Sequence, residues 1–234
     1  MQLQNYLPCW RGFLRRTITC RCRCSGVRSD ATWSPVRHVL PFYLLLPDGL
    51  TGPIFRDARP TLTHRAIAAL ESADRIELVV TQNVDGLHAR AGTSAERLVE
   101  IHGTNAETEC LTCGERSDPE PHMQAFRVTR KPPHCACGGL LKTATISFGQ
   151  NLVPGDLQRA ADAAGRCDLV VALGSTLSVY PAANVPLEAV EQGAPYVIIN
   201  RGATEHDGRP GVTLRLDGDV QELFPPAVDA VLQP

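Results

Sequence analysis

The chain is predicted to be an α/β protein in which a parallel sheet is flanked by helices and interrupted by a small cysteine-rich module. From residue 60 onward, apolar strand-like segments alternate with helical segments, which is typical of right-handed βαβ units. Segment 168–173 is apolar after its first residue, as expected for a strand buried on both faces of a parallel sheet. Residues 104–143 break this rhythm with four cysteines and four prolines. Together these observations predict a Rossmann-like sheet with one insertion.

Periodicity and capping residues predict the individual elements. A helix is expected at 63–73, where alanine, isoleucine and leucine form an apolar stripe, and a strand is expected at 76–81. The other predicted elements are a short helix at 84–90 stopped by Gly92, strands at 98–101 and 144–148, a helix at 154–164, a strand at 168–173, a helix at 182–192, strands at 196–199 and 212–216, and a C-terminal helical segment broken at Pro225 and Pro226. The first 50 residues show no clear period, although the apolar run 39–46 could supply a strand.

The length of 234 residues is enough for one full core and a small module. We therefore expect a divergent or disordered N-terminal segment at 1–55, followed by one folded domain at 56–234. Within that domain, 56–103 and 144–234 form the Rossmann-like part and 104–143 form the inserted module.

The net charge of −2 hides an uneven distribution of charge. Residues 1–29 contain six arginines and no acidic residue, so the remaining chain is distinctly acidic. An acidic body argues against nucleic acid as a partner, since that binding depends on clustered Lys and Arg. The longest apolar run, 39–46, is too short to cross a membrane. The arginine-rich start resembles an organellar leader but lacks amphipathic spacing, so a cytoplasmic location is expected.

Four of the nine cysteines form two close pairs. The pairs are Cys110 with Cys113 and Cys135 with Cys137, and 21 residues separate them. Such pairs place two sulfurs within reach of one ion, so they predict a tetrahedral zinc site in a reducing compartment. Because four thiolates leave no open coordination position, this zinc would be structural. His134 remains an alternative ligand to Cys135.

A polar loop follows the predicted strand 76–81. The string Thr-Gln-Asn-Val-Asp-Gly-Leu-His occupies 81–88, and His102-Gly103 follows fourteen positions after its final histidine. Loops at the carboxyl ends of strands carry the ligand chemistry of open α/β sheets. These motifs resemble those of the sirtuin family of NAD-dependent protein-lysine deacylases, and the resemblance covers roughly residues 60–223.

The resemblance implies roles for the residues of this loop. Gln82 would assist at the nicotinamide ribose, while Asn83 and Asp85 would hold the nicotinamide amide and the ribose. His102 would be the general base that deprotonates a ribose hydroxyl, a task suited to an imidazole with a pKa near neutrality. The implied reaction transfers an acetyl group from lysine to ADP-ribose and releases nicotinamide.

Further segments in the carboxyl half resemble the NAD site of the family. The segment that begins with Gly174, Ser175 and Thr176 resembles the Gly-Thr-Ser motif, whose small residues let the backbone approach the ribose and phosphates. Asn200 and Arg201 resemble the adenosine-contacting pair, and the segment around Val220 resembles the last adenine contact.

Phe148 and Gly149 resemble the segment whose backbone pairs with the substrate peptide as an added strand. The implied partner is an acetyl-lysine protein or peptide. No Tyr-x-x-Arg pair occurs in the chain, which favours acetyl over acidic acyl groups.

Two features depart from the family pattern. The second cysteine pair has one intervening residue where the family usually has two. No Gly-Ala-Gly-x-Ser string is present in the amino-terminal part, although that loop wraps the NAD pyrophosphate in the family. Two alternatives to a deacetylase therefore stay open: a catalytically impaired protein that binds NAD or ADP-ribose, and a zinc-module interaction protein without a cofactor.

Overall fold

The protein was analysed as a computed structural model, which describes residues 17–20, 57–147 and 149–233, the first range by its backbone only. The helices are α1 (Leu62–Ser72), α2 (Leu87–Ala91), α3 (Pro119–Thr129), α4 (Pro154–Ala164), α5 (Val185–Glu191) and α6 (Val220–Leu232), with short 3-10 helices at Ala95–Arg97 and Ala182–Asn184. The strands are β1 (Thr17–Cys20), β2 (Ile76–Thr81), β3 (Leu98–Glu100), β4 (Gly103–Cys110), β5 (Arg116–Ser117), β6 (Leu141–Thr145), β7 (Leu169–Leu173), β8 (Tyr196–Asn200) and β9 (Val212–Asp217). In this part of the chain, no helix combines the length and the apolar character needed to cross a bilayer.

Six strands form one parallel sheet in the order β3-β2-β1-β7-β8-β9. Along the chain, β2 and β3 are added on one side of β1, and β7, β8 and β9 are then added on its other side. This reversal places a topological switch point between β1 and β7, where open α/β sheets bind ligands beyond the carboxyl ends of their strands. The α/β prediction with a parallel sheet is confirmed.

The central strand β1 was not predicted from the sequence. Its four residues, Thr-Ile-Thr-Cys, pair in parallel with β2 on one side and β7 on the other. The strand is short and stands among arginines, so its periodicity is too weak to reveal it. The alternative strand at 39–46 lies outside the described residues.

Helices cover both faces of the parallel sheet. On one face α1 and α6 pack with residues such as Ile67 and Phe224, and on the other face α4 and α5 pack with residues such as Ala160. Because side chains alternate along a strand, Val79 belongs to the first cluster and Val80 to the second. Burial on both faces explains why strand β7 is apolar throughout.

The inserted module contains a three-stranded antiparallel sheet, β5-β4-β6, together with helix α3. The predicted strand at 144–148 was wrong in position. The observed strand β6 begins at Leu141, ends at Thr145 and pairs with β4 rather than with the large sheet. Helix α3 was not predicted, because its two prolines suggested a loop. Both lie in the first helical turn, where backbone N–H groups have no partner within the helix and proline is tolerated.

The predicted break at Pro225 and Pro226 was also wrong. Helix α6 continues through both prolines. Phe224 on one side and Ala227 and Val228 on the other are buried in the same core cluster. Tertiary packing therefore holds this helix together although each proline lacks the backbone N–H of a helical hydrogen bond.

Candidate active site and metal centre

The loop that follows β2 is ordered by its own polar side chains. The hydroxyl of Thr81 accepts a hydrogen bond from the Asn83 backbone N–H at 3.1 Å. The Asp85 carboxylate accepts from the Leu87 backbone N–H at 3.0 Å and from the Asn83 side-chain amide at 3.3 Å. Gln82 is only 2% exposed. These contacts hold an amide and a carboxylate at the carboxyl edge of the sheet.

His102 lies beside this loop, two residues beyond the end of β3. Its Nδ1 lies 3.2 Å from the Gln82 backbone carbonyl. Burial lowers the pKa of His102, and the hydrogen bond to the Gln82 carbonyl opposes that shift only in part. The His102 carbonyl accepts from the Ile146 N–H at 2.8 Å, which ties it to the segment after β6. A half-buried imidazole that stays neutral is suited to accept a proton.

Glu100 is a titratable residue at this site that sequence reasoning missed. It ends β3 directly opposite Thr81. Burial raises the pKa of Glu100 to about 7, a hydrogen bond from Thr104 lowers it, and the negative charge of Asp85 raises it further. Its place at a strand end, two residues before His102, was the signal available in the sequence.

Gly103 allows β4 to approach β6 closely. Its φ is +74°, and a Cβ atom there would lie 2.1 Å from the Ala144 carbonyl oxygen. We expect Gly103→Ala to lower the free energy of unfolding by about 1–3 kcal/mol from the backbone conformation alone, with a further loss from the clash. Urea unfolding would measure this loss. Gly155→Ala is the control, because nothing lies within 4 Å of the added atom; equal stability of the two variants would contradict the prediction.

The segment after β7 exposes backbone next to the switch point. Gly174 has a φ of +58°, and its N–H donates to the Ile199 carbonyl at 2.9 Å. The buried Ser175 hydroxyl accepts from the Leu177 N–H at 3.1 Å, and Leu177 also has a positive φ of 56°. Thr176 is exposed. A left-handed glycine followed by small hydroxyl residues leaves room for a ligand to approach the backbone.

Asn200 and the start of α6 meet at the ends of β8 and β9. The Asn200 side-chain amide donates to the Gly202 carbonyl at 3.0 Å. The Asn200 backbone carbonyl accepts from the Gly218 N–H at 3.2 Å. Arg201 pairs with Asp219 at 2.7 Å, and Asp219 caps the helix whose first residue is the buried Val220.

The structure thus gathers the predicted cofactor residues into two groups at one edge of the sheet. Gln82, Asn83, Asp85 and His102 lie at the ends of β2 and β3, and Gly174, Ser175, Thr176, Asn200, Arg201 and Val220 lie at the ends of β7, β8 and β9. Strand β1 stands between the two groups. Among the predicted peptide-contacting residues, Phe148 lies outside the described part of the chain, and Gly149 is exposed with a φ of +86°.

The four paired cysteines converge in the inserted module. Their sulfurs all lie within 4.8 Å of one another, with 3.5 Å between Cys110 and Cys137 and 3.7 Å between Cys113 and Cys135. Zn–S bonds of about 2.3 Å in a tetrahedron place sulfurs roughly 3.8 Å apart, so the cluster fits zinc. His134 instead forms a backbone bridge with Leu140.

Backbone N–H groups point at two of these sulfurs. Thr112 donates to Cys110 Sγ and Gly139 donates to Cys137 Sγ, each at 3.4 Å. The pKa of Cys110 is lowered to about 6, chiefly by a hydrogen bond from the Cys113 backbone. The pKa values of Cys113, Cys135 and Cys137 are raised instead, so a cation is needed to hold all four sulfurs as thiolates.

A parallel sheet with a switch point, a polar site at its carboxyl edge and a four-cysteine module defines a class of α/β proteins with a dinucleotide-binding architecture. The Sir2 family model matches residues 41–181, which is more than half of the chain. The chain therefore belongs to the Sir2 family, and the predicted resemblance is confirmed.

Individual proteins agree with this assignment. The chain is similar to an NAD-dependent protein deacetylase of Rhodopseudomonas palustris, with 42% identity over 70% of this chain and 65% of the relative. It is 37% identical to an NAD-dependent protein deacetylase of Haloarcula marismortui over 80% of this chain and 70% of the relative. A solved structure described as Sir2 with a p53 peptide and NAD+ matches with a TM-score of 0.83 and 31% identity over 97% of each chain. The chain thus spans slightly less than two thirds of the length of the first of these relatives.

Proposed function

We propose that this protein is an NAD-dependent protein-lysine deacetylase. The observation that carries the proposal is the contact between His102 Nδ1 and the Gln82 carbonyl, which places a neutral imidazole beside Asn83 and Asp85 at the carboxyl edge of the sheet. The deacetylase names of similar proteins support it.

The residues present fit NAD as the co-substrate. Asn83 and Asp85 would offer an amide and a carboxylate to the nicotinamide and its ribose, and the buried Gln82 would assist at the ribose. On the other side of β1, Gly174, Ser175, Thr176, Asn200, Arg201 and Val220 would hold the phosphates and the adenosine. When bound, NAD supplies the ADP-ribose acceptor and nicotinamide as the leaving group.

His102 would serve as the general base for a ribose hydroxyl. The lowered pKa keeps the imidazole neutral at physiological pH. The Gln82 carbonyl accepts a hydrogen bond from Nδ1–H, so Nε2 is the nitrogen that can take a proton. Phe148 and Gly149 would contact the acetyl-lysine peptide as an added strand. The positive φ of Gly149 and the neighbouring turn, in which Gln150 N–H donates to the Ser147 carbonyl, are consistent with an exposed backbone there.

Cys110, Cys113, Cys135 and Cys137 would bind one structural zinc. Because the paired spacing of these cysteines is typical of a reducing compartment, we propose a cytoplasmic location. We propose 56–234 as the catalytic domain containing module 104–143 and 1–55 as a divergent or disordered segment, except that strand β1, within 1–55, pairs into the sheet of the catalytic domain. We propose an acetyl-lysine protein as the partner, and neither nucleic acid nor a membrane.

Nicotinamide release tests the function directly. Purified protein is incubated with NAD and an acetyl-lysine peptide, and the unacetylated peptide is the control. Release that depends on the acetyl group supports a deacetylase. Absence of release, together with thermal stabilisation by ADP-ribose, would instead indicate an impaired nucleotide-binding protein, and absence of both would indicate an interaction module.

A second candidate, the impaired nucleotide-binding protein, is favoured by the residues that follow β1. The strand ends at Cys20 and is followed by Arg-Cys-Arg-Cys, whereas the family resemblance would place a glycine-rich turn after the first strand. Each charge-assisted hydrogen bond lost from the pyrophosphate costs about 1.5–3 kcal/mol. Losing two such bonds implies NAD affinity weaker by about 10²-fold or more, at roughly 1.4 kcal/mol per tenfold.

We therefore expect the natural chain to bind NAD weakly and to deacetylate slowly. Replacing the residues after Cys20 with a Gly-Ala-Gly-x-Ser turn should strengthen NAD binding, because its backbone N–H groups meet the phosphates. Calorimetry with NAD measures the change, and an Ala-Ala-Ala-x-Ala replacement is the control. Tight NAD binding by the natural chain would contradict this expectation.

A further inference from the structure

Arg215 binds the backbone of the loop that follows β8. It lies on β9, the edge strand of the large sheet. Its guanidinium donates to the backbone carbonyls of Asn200, Gly202 and Leu216. Its Nε also lies 2.8 Å from Asp207 Oδ1. The Arg215 side chain is only 23% exposed, although its bonds to Asp207 and Gly202 lie at exposed positions.

Asp207 extends this network into the loop 201–211. It accepts from the Thr204 backbone N–H at 3.0 Å and from the Thr204 hydroxyl at 2.7 Å. Burial raises the pKa of Asp207, but hydrogen bonds from Arg215 and Thr204 outweigh it and lower the pKa to about 2. Asp207 is therefore ionised at any physiological pH and presents a negative charge to Arg215.

The same loop connects the two segments that would hold the adenosine half of NAD. The Glu205 N–H donates to the Thr176 carbonyl at 2.9 Å, and the Gly202 N–H donates to Asp217 Oδ1 at 2.9 Å. The middle of the loop is thus tied to the segment after β7, and its first residues are tied to the end of β9. These bonds connect the loop to both segments.

We propose that Arg215 is a positioning residue that sets the affinity for the ADP-ribose part of NAD by fixing loop 201–211. This inference rests on the proposed function. It places the effect of Arg215 on nucleotide binding rather than on the acetyl-transfer chemistry at His102, which lies on the other side of β1.

The planar guanidinium is needed because it serves several acceptors at once. It donates to three carbonyls and one carboxylate from fixed directions, whereas a Lys ammonium offers three donors from a single atom. Arg215→Met keeps the apolar stem and removes every donor. If the loop then adopts its binding conformation a tenth of the time, the apparent affinity falls about tenfold.

The experiment compares wild type, Arg215→Met and Arg215→Lys, with Arg209→Met as the matched control. Arg209 also belongs to the loop, but it bonds only the nearby Glu205 carbonyl and the Tyr180 hydroxyl. Hydrogen–deuterium exchange of residues 200–207 reports loop order without any ligand. Calorimetry gives the Kd for ADP-ribose, and steady-state kinetics gives KM for NAD and kcat separately.

We expect faster exchange in 200–207 and an ADP-ribose Kd raised about tenfold or more in Arg215→Met. KM for NAD should rise while kcat and KM for the peptide stay near wild type; a general loss of structure would change all three. Arg209→Met should resemble wild type. If wild type binds ADP-ribose and Arg215→Met has the same Kd, the role of Arg215 is overturned and the proposed function is not. Failure of wild type to bind ADP-ribose would overturn the proposed function as well.

Discussion

Cys110→Ser is expected to lose zinc and to unfold the inserted module. The Cys110 sulfur is buried, lies 3.5 Å from Cys137 and accepts the Thr112 N–H. Serine offers a poorly ionised hydroxyl in place of this thiolate. Structural zinc contributes about 10–16 kcal/mol in zinc-finger peptides, which is comparable to the whole stability of a typical domain, about 5–15 kcal/mol.

Metal content by mass spectrometry and thermal unfolding by circular dichroism measure this effect. Wild type should contain one zinc per chain and the variant almost none. Cys167→Ser is the matched control, because Cys167 lies before β7, outside the cluster. Full zinc occupancy in Cys135→Ser would show that this ligand set is wrong and that His134 takes the fourth position.

His102→Ala is expected to reduce deacetylase turnover by roughly 10²-fold or more, the usual scale for loss of a general base. Affinity for ADP-ribose should change little, because Gly174, Ser175 and Asn200 lie on the other side of β1. Turnover and ADP-ribose titration together measure this separation of effects. His122→Gln is the control, since His122 bonds Ser117 in the distant module. Equal turnover in His102→Ala and wild type would remove His102 from the mechanism.

The pH profile gives an independent check on His102. The imidazole accepts a proton only when it is neutral, so activity should fall as the pH drops through its pKa. Because burial lowers that pKa, the acid limb of kcat/KM should lie below the usual value of 6.5. Glu100, with its pKa raised to about 7, contributes a separate ionisation. Glu100→Gln should therefore leave the acid limb of the kcat/KM profile unchanged. If this limb moves in Glu100→Gln, it reports the ionisation of Glu100 and not that of His102.

Elements with strong periodicity were predictable from the sequence. Strand β2 and helix α4 begin and end at the predicted residues, since each has a clear apolar pattern and α4 starts at Pro154. Other elements depend on contacts that no local pattern encodes. Strand β1 exists because β2 and β7 pair with it, and α6 passes its two prolines because Phe224 and Val228 are buried.

The candidate site also combines features that a local pattern predicts with features that depend on contacts distant in the sequence. Spacing alone predicted that four cysteines would converge, and the structure places their sulfurs together. The roles of Gln82, Asn83 and Asp85 rest on family resemblance, because one sequence does not reveal which loops meet in space. Glu100 and Arg215 were not predicted for the same reason. Burial in the folded chain raises the pKa of Glu100, and Arg215 acts through backbone carbonyls that are distant in the sequence.

Strands β4 and β6 join the metal cluster to the candidate base within one antiparallel ribbon. Cys110 is paired with Leu141 at one end, Gly103 is paired with Thr145 at the other, and the Ile146 N–H then bonds the His102 carbonyl. If zinc and the peptide both stabilise this ribbon, linkage requires each to raise the affinity for the other by one common factor. A chelator at a fixed concentration should then remove less zinc when an acetyl-lysine peptide is bound.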